Sequence, residues 1–307
     1  MDINYELYKV FFHVASTLSF SEASKQLFIS QSAVSQSIKV LEKKLNQTLF
    51  IRSTKRVQLT PEGEILLKHI EPAMNLIRKG ENQLLEANTL NGGQLRIGAS
   101  DTICRYFLLP FLQEFHRNYP NIHIKVTNRT SIECARLLEN GQVDFIITNY
   151  PNSGLSNIHN ITKIGSFRDI FIANETFSQL KGRPVSLKEL QSYPILMLDR
   201  KSTTSEFLHQ IFQQHQLDLV PEIELSSNDL LFDLAHIGLG FAFVPDFCFP
   251  KQSGGLFRLE LETELPIRQL VTVHNENLPI SQAARQFMEL LENGSRSSQA
   301  EDAASEV

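Results

Sequence analysis

No stretch of the 307 residues approaches the ~18–20 consecutive apolar residues that a membrane span needs. The opening residues, MDINYELYKV, lack the basic-then-apolar pattern of a secretory signal. The expectation is a chain that stays in the cytoplasm and has no membrane partner. Cysteine is scarce: Cys104, Cys134 and Cys248 are odd in number and far apart, which fits neither a disulfide framework nor a zinc site. They read as small buried hydrophobes, with a redox role as the alternative. The histidines, His13, His69, His116, His123, His159, His209, His215, His236 and His274, are scattered without metal-ligand spacing. HExxH, GxSxG and phosphate-loop patterns are absent. The glycine pair Gly238-Leu239-Gly240-Phe241 lacks the dinucleotide fingerprint and reads as a tight turn into a strand. Material for an enzyme is therefore poor, and neither cofactor nor metal is expected.

An overall excess of positive charge is also missing, since the net charge is −5. Divided along the chain, the balance reverses. Residues 1–60 hold eight bases (Lys9, Lys25, Lys39, Lys43, Lys44, Arg52, Lys55, Arg56) against four acids, a balance of +4. The other 21 bases and 30 acids leave −9 on residues 61–307. A basic module on an acidic body suggests that only the first part faces nucleic acid. The length suggests roughly two or three domains, and hydrophobic residues at 42% with charged residues at 21% are ordinary for a folded protein.

What the first sixty residues do contain is a two-faced helix, Ser30–Leu45. At roughly 100° per residue, Val34, Ile38, Leu41 and Leu45 fall within an arc of about 60°, a core-facing stripe. Gln31, Ser32, Ser35, Gln36, Lys39 and Lys43 occupy a different arc. Taken alone, such a polar face is most simply solvated surface; it also carries the groups that read base edges and hold phosphates. Before it stand an amphipathic helix over Tyr5–Ser16 and a short helix opened by Ser19-Phe20-Ser21-Glu22, a capping-box pattern. Phe28-Ile29-Ser30 forms the turn, with Ser30 as N-cap, so the pair reads as a helix-turn-helix. Asn46 can end the helix, and Leu49, Ile51, Val57 and Leu59 flank a basic turn, the pattern of a β-hairpin wing carrying Arg52, Lys55 and Arg56.

In this order Ser30-Gln-Ser-Ala-Val-Ser35-Gln, Leu41-Glu-x-x-Leu45, Leu49-Phe50-x-Arg52 and Leu59-Thr-Pro-Glu-Gly63 resemble the LysR-type transcriptional regulators, over nearly the whole chain. Two departures stand out: Ser32, where the family often has Pro, and Ala23-Ser24, where it commonly has Ala-Ala. The resemblance implies an α/β protein with a helix-rich winged helix-turn-helix domain at 1–60, a dimerising linker helix at 61–90 and an effector domain at 91–291. That effector domain is two-lobed α/β, of the type 2 periplasmic-binding-protein-like kind. It implies double-stranded DNA as partner, at an interrupted, roughly palindromic site, together with a small-molecule effector, self-association as dimer or tetramer, and RNA polymerase as a candidate partner. In this reading Gln31, Ser32, Ser35 and Gln36 read bases, while Lys39, Lys43, Arg52, Lys55 and Arg56 hold phosphates.

Thr60, Pro61 and Glu62 open the linker helix with good start chemistry. Its Leu66, Ile70, Ala73, Ile77 and Leu84 recur at near-heptad spacing and need a cover, for which the same helix of a second subunit is the expected partner. Pro72 is expected to kink it.

After Asn91-Gly92-Gly93 the pattern alternates between strand and helix, first over Gln94–Thr148 and again over Asp169–Val244, with a last strand at Gln269–His274 and helix at Ser281–Leu291. This predicts two α/β lobes, lobe I at about 91–163 and 266–291 and lobe II at about 164–265, with a cleft between them. Hydroxyls cluster at four strand-to-helix junctions: Ser100-Asp101-Thr102, Thr130-Ser131, Ser202-Thr203-Thr204 and Ser226-Ser227-Asn228. Capping alone explains each; converging, they would offer donors to an anionic or polar ligand, with Arg129 and Arg200 adding charge and Asp101 opposing it. The family resemblance implies effector contacts at Ser100, Thr102, Thr130, Ser131, Thr148 and Ser202, and these, with Asp101, Arg129 and Thr203 of the same junctions, are the candidate effector contacts. The tail, 292–307, reads as disordered. A transport-type binding protein and an α/β enzyme are the alternatives, separated from a regulator by salt-dependent duplex-DNA binding.

Overall fold

The computed structural model describes residues 3–52, 56–87, 93–156, 159–249 and 254–305. The chain divides into two compact units, the first formed chiefly by residues 1–89 and the second by the rest. Among the described residues no helix is long and apolar enough to cross a membrane.

The first unit begins with α1 (Tyr5–Thr17), α2 (Phe20–Leu27) and α3 (Gln31–Leu45). Each junction is set by a local side chain. Ser19 Oγ accepts from the amide of Glu22, and Ser30 Oγ from the amide of Ala33. Asn46 ends α3 in the left-handed region, at φ 52°. Val34, Ile38 and Leu41 are fully buried against Val10, Phe11, Val14, Phe20 and Ala23. The wing is the antiparallel pair β1 (Phe50–Arg52) and β2 (Val57–Leu59). Its burial phase differs from the expected one: Leu49 and Phe50 face the core, where Phe50 meets the rings of Phe11 and Phe20 at 5.5 and 5.8 Å, and Ile51 faces out. Glu42 anchors β1, its Oε1 accepting from the amides of Leu49 (2.9 Å) and Phe50 (3.3 Å).

Helix α4 (Pro61–Ala87) starts at Thr60, whose hydroxyl donates to the carbonyl of Thr48 and accepts from the amide of Gly63. Gly63 is required there, because a Cβ would lie 2.3 Å from the carbonyl oxygen of Leu49. The helix is continuous through Pro72 rather than broken. Its apolar stripe is divided: Leu66 and Ile70 pack onto the core of the first unit, whereas Ala73, Ile77 and Leu84 are exposed.

In the second unit come β3 (Gly93–Ala99), α5 (Asp101–Ile103), a π-helical turn (Cys104–Leu108) and α6 (Leu109–Asn118). The helical run widens just before Pro110, which has no amide for an ordinary i→i−4 bond. Then follow β4 (Ile122–Asn128), α7 (Ser131–Glu139), β5 (Phe145–Tyr150) and β6 (His159–Phe167). The chain crosses at Arg168 into β7 (Asp169–Asn174), β8 (Pro184–Val185), α8 (Leu187–Leu190), β9 (Ile195–Leu198), α9 (Thr203–Gln214), β10 (Ile223–Leu225), α10 (Asn228–His236), β11 (Phe241–Pro245), β12 (Leu256–Arg258) and β13 (Glu260–Leu261). It returns through β14 (Arg268–Asn275) and ends in α11 (Gln282–Ser305).

The two five-stranded sheets have orders β4-β3-β5-β14-β6 and β10-β9-β11-β7-β12. In each, four strands run in one direction and only the fourth in the order is reversed: β14 is antiparallel to β5 and β6, and β7 to β11 and β12. Strand β6 was not expected. It keeps the chain in the first sheet up to Phe167, so the lobes divide at Arg168 rather than near residue 163. The expected disordered tail is also corrected, because α11 runs on to Ser305. Phe287 and Leu291 dock that helix in the first lobe's core, and the Ala- and Glu-containing residues beyond contain no helix breaker but Gly294.

At the crossings sits a buried ion pair. Arg268, the first residue of β14 and 1% exposed, donates from Nη1 to Asp169 Oδ2 at 2.8 Å and to Thr204 Oγ at 3.3 Å. Its guanidinium lies between the rings of Phe167 (5.2 Å) and Phe207 (4.9 Å). Removing one partner of such a pair strands the other charge. Arg268→Met should cost about 3–5 kcal/mol, and adding Asp169→Leu should recover much of it; urea unfolding followed by circular dichroism checks both.

Candidate functional site

On α3 the residues predicted to meet DNA lie on one side. Gln31, Ser32, Gln36, Lys39 and Lys43 are exposed and Ser35 is half-buried, while the opposite stripe is sealed in the core. Ser32 Oγ lies 2.9 Å from Ser30 Oγ, which ties the first turn of the helix to its cap. Arg56 is exposed beside the wing; Lys55 and the side chain of Arg52 lie outside the described residues. Sequence reasoning missed Phe28, which is 94% exposed in a left-handed conformation (φ 55°) at the turn leading into α3. The signal was available: a large apolar residue standing where a turn favours Gly or Asn.

A cleft of about 290 Å³ opens between the two lobes of the second unit. Its walls are the strand-to-helix junctions of both sheets, because in an open α/β sheet these lie at the carboxyl ends of the parallel strands. Ser100, Asp101, Thr102, Arg129, Thr130, Ser131, Ser202 and Thr203 all line it. Thr148 does not. It is fully buried on β5, donating to the carbonyl of Asn149 and accepting from Asn152 Nδ2 at 2.8 Å. Strand alternation explains the error: of two adjacent residues, Asn149 takes the cleft side. Arg200 is also displaced, lining a separate groove with Glu206 and His209.

Caps hold the junctions in place. Ser100 accepts from the amide of Ile103, Thr130 from that of Glu133, Ser202 from that of Ser205 and Ser227 from that of Leu230. Glu133 returns the bond by accepting from the Thr130 hydroxyl at 3.2 Å. Asp101 accepts from Asn128 Nδ2 at 3.1 Å, and Arg129 donates to the carbonyl of Asn128 at 2.7 Å. Bonds span the lobes at two places: the Ser153 hydroxyl donates to Glu206 at 3.0 Å, and three more meet at the start of α10. Asn228 Nδ2 donates to Thr102 Oγ at 2.7 Å, and Asp229 accepts from both Arg105 (2.7 Å) and the Tyr106 hydroxyl (2.6 Å).

None of the three thiols is activated. Burial, followed by the charge of Asp101, pushes Cys104 up to about 11, and burial pushes Cys134 up to about 12. Cys248 is also raised, chiefly by burial and then by Asp169. Thiols held protonated at neutral pH are poor nucleophiles.

The family model described as "Bacterial regulatory helix-turn-helix protein, lysR family" matches residues 5–64, and that described as "LysR substrate binding domain" matches residues 88–296. The chain belongs to the LysR family of transcriptional regulators, and is a regulator rather than an enzyme. It is 29% identical to a probable RuBisCO transcriptional regulator of Cyanophora paradoxa, over 90% of this chain and 87% of that one. To the HTH-type transcriptional activator CmpR of Synechocystis it is 25% identical, over 92% and 93%. Its fold resembles that of full-length CbnR complexed with target DNA, at TM-score 0.66 and 17% identity over 95% of this chain and 99% of that one. It also resembles a full-length OxyR variant from Pseudomonas aeruginosa, at TM-score 0.68 and 17% identity over 96% and 95%.

Resemblance to an OxyR is one of fold, and the thiol environments bear on its chemistry. At pH 7 the native chain should react with a disulfide reagent such as DTNB at well under one equivalent, rising to three after denaturation. Rapid native labelling of Cys104 would contradict the assignment of these thiols as unreactive.

Proposed function

We propose that this regulator binds DNA sequence-specifically through the polar face of α3 and that a small polar metabolite in the interlobe cleft switches it. The observation that carries the reading is the division of α3. Val34, Ile38 and Leu41 are wholly inside, which fixes the helix against rotation, so Gln31, Ser32 and Gln36 are held outward, with the half-buried Ser35 at the edge of the same face. Gln and Ser side chains supply the donors and acceptors that match base edges in the major groove. Lys39, Lys43 and Arg56, with Arg52 and Lys55 of the wing, supply phosphate contacts. The protein works in the cytoplasm, where its DNA lies.

The exposed Ala73, Ile77 and Leu84 of α4 support self-association through this helix, as dimer or tetramer. Two copies related by a two-fold would place two α3 helices on half-sites separated by whole helical turns, an interrupted palindrome. RNA polymerase is a further partner that a promoter-bound regulator would meet. In the effector unit, Ser100, Asp101, Thr102, Arg129, Thr130, Ser131, Ser202 and Thr203 form the ligand-binding set, and Thr148 supports Asn149 from behind.

Binding to a promoter duplex, measured at several salt concentrations, tests the reading. Affinity should fall steeply with salt while preference for one site persists. Inserting about five base pairs between half-sites, half a helical turn, should abolish the dimer's advantage; undiminished affinity would sink the two-fold arrangement. Gln36→Ala should relax preference at one half-site position at a cost of roughly 1–3 kcal/mol, whereas a uniform loss on all sequences would place Gln36 on the backbone.

A further inference from the structure

The cleft lining carries three acids, Asp101, Glu133 and Asp199, and one cation, Arg129. The acids are met by neutral groups: Asp101 by Asn128 Nδ2, Glu133 by Thr130, and Asp199 by the amide of Lys201. Arg129 spends a donor on the carbonyl of Asn128. The wall therefore has two more negative than positive charges, in a recess whose low-dielectric sides focus the field. A dicarboxylate or a phosphate ester would enter against that field.

A second observation is independent of charge. Asn149 and Asn228 both line the cleft and are only 7% and 4% exposed, and the side-chain oxygen of each is buried with no hydrogen-bonding partner. A buried acceptor left without a donor costs stability, and an ammonium group offers three donors and no acceptor. The opposite need is present as well. Helices α7 and α9 start at the cleft, and their caps Thr130 and Ser202 each take a single amide, that of Glu133 and that of Ser205. The earlier amides of both first turns remain to meet an anionic group.

We propose that the effector is a small zwitterion of the amino-acid class. Its ammonium group is held by the side-chain oxygens of Asn149 and Asn228 with Asp101 supplying the countercharge, and its carboxylate lies at the N-termini of α7 and α9. The inference rests on the reading of the interlobe cleft as the effector site and names the chemistry that the site selects. Because Asn228 also bonds Thr102 across the cleft, an ammonium arriving at its free oxygen joins a bond that already links the lobes.

The test is thermal shift and calorimetry on the full-length protein with the common L-amino acids, putrescine, succinate and 3-phosphoglycerate at millimolar concentration. At least one amino acid should raise the unfolding temperature by several degrees and outlast putrescine and both anions in the ranking. Asp101→Asn should weaken that amino acid at least tenfold, and Asn228→Asp, which keeps an oxygen at that place and adds charge, should hold or improve its affinity. No shift from any amino acid, or an affinity unmoved by Asp101→Asn, overturns the proposal. Ser226 is exposed at the cleft wall, so Ser226→Trp fills the cleft from outside the core. A shift from succinate or 3-phosphoglycerate that Ser226→Trp abolishes retains the cleft as the site and sinks the zwitterion. A shift that survives Ser226→Trp places the ligand elsewhere and sinks both.

Discussion

The second unit depends on what happens where its chain crosses between lobes, and there the controlling interaction is Arg268 with Asp169. One residue opens the strand that returns to the first sheet, the other opens the strand that leaves it. Both are buried, so neither charge tolerates separation from its partner. The neighbouring crossing residue Arg168 is held in its turn, donating its amide to Asp246 and pairing with Glu264. Crossings pinned in this way let the lobes differ in closure while keeping both sheets in register with the connecting backbone. Arg268 also reaches Thr204 in the first turn of α9, one residue beyond Thr203 on the cleft wall. The same buried guanidinium thus touches both crossings and the rim of the ligand site.

Much of the first unit was legible in the chain because its motifs act over a few residues. Ser19 and Ser30 cap the helices that follow them, Asn46 takes the left-handed turn, and Gly63 sits where no side chain fits. Glu42 is a different case. Its motif was recognisable, but its task of receiving two wing amides spans seven and eight residues and emerges only from the fold. In the second unit the parallel strands announced themselves as apolar runs. Strand β6 did not, since His159-Asn-Ile-Thr-Lys-Ile-Gly-Ser-Phe167 mixes polar and apolar residues and its partner β14 lies about a hundred positions away. Eight of the nine candidate effector residues lie on the cleft wall, at or beside the hydroxyl-rich junctions. Asn149 and Asp199 were missed as wall residues, and Asn228 was named at its junction but not as a contact, because nothing local distinguishes an amide or acid that faces a cleft from one that faces water.

Charge is divided along the chain in a manner that suits two different ligands. The first sixty residues are net positive and α3 exposes Lys39 and Lys43 on its polar side, while Asp101, Glu133 and Asp199 of the acidic remainder line the cleft. A polyanion is attracted to one unit and repelled by the other, which confines DNA to the intended surface. That asymmetry was visible from composition alone, whereas its concentration at the cleft required the fold.

The remaining step is how occupancy of the cleft becomes a signal. A ligand shifts an equilibrium between lobe arrangements only as far as its contacts differ between them. Among the groups shared across the lobes, those nearest the proposed ammonium site are Asn228 with Thr102, and Asp229 with Arg105 and Tyr106. Asn228 and Asp229 are consecutive at the start of α10, so a ligand that draws Asn228 inward moves the Asp229 contacts with it. Of those contacts, the Arg105–Asp229 pair is largely in solvent and weak, and the Tyr106 hydroxyl bond is part-buried. Weak cross-lobe bonds beside strongly held crossings are what a switch needs, because the arrangement can change at the mouth of the cleft while the crossings stay intact.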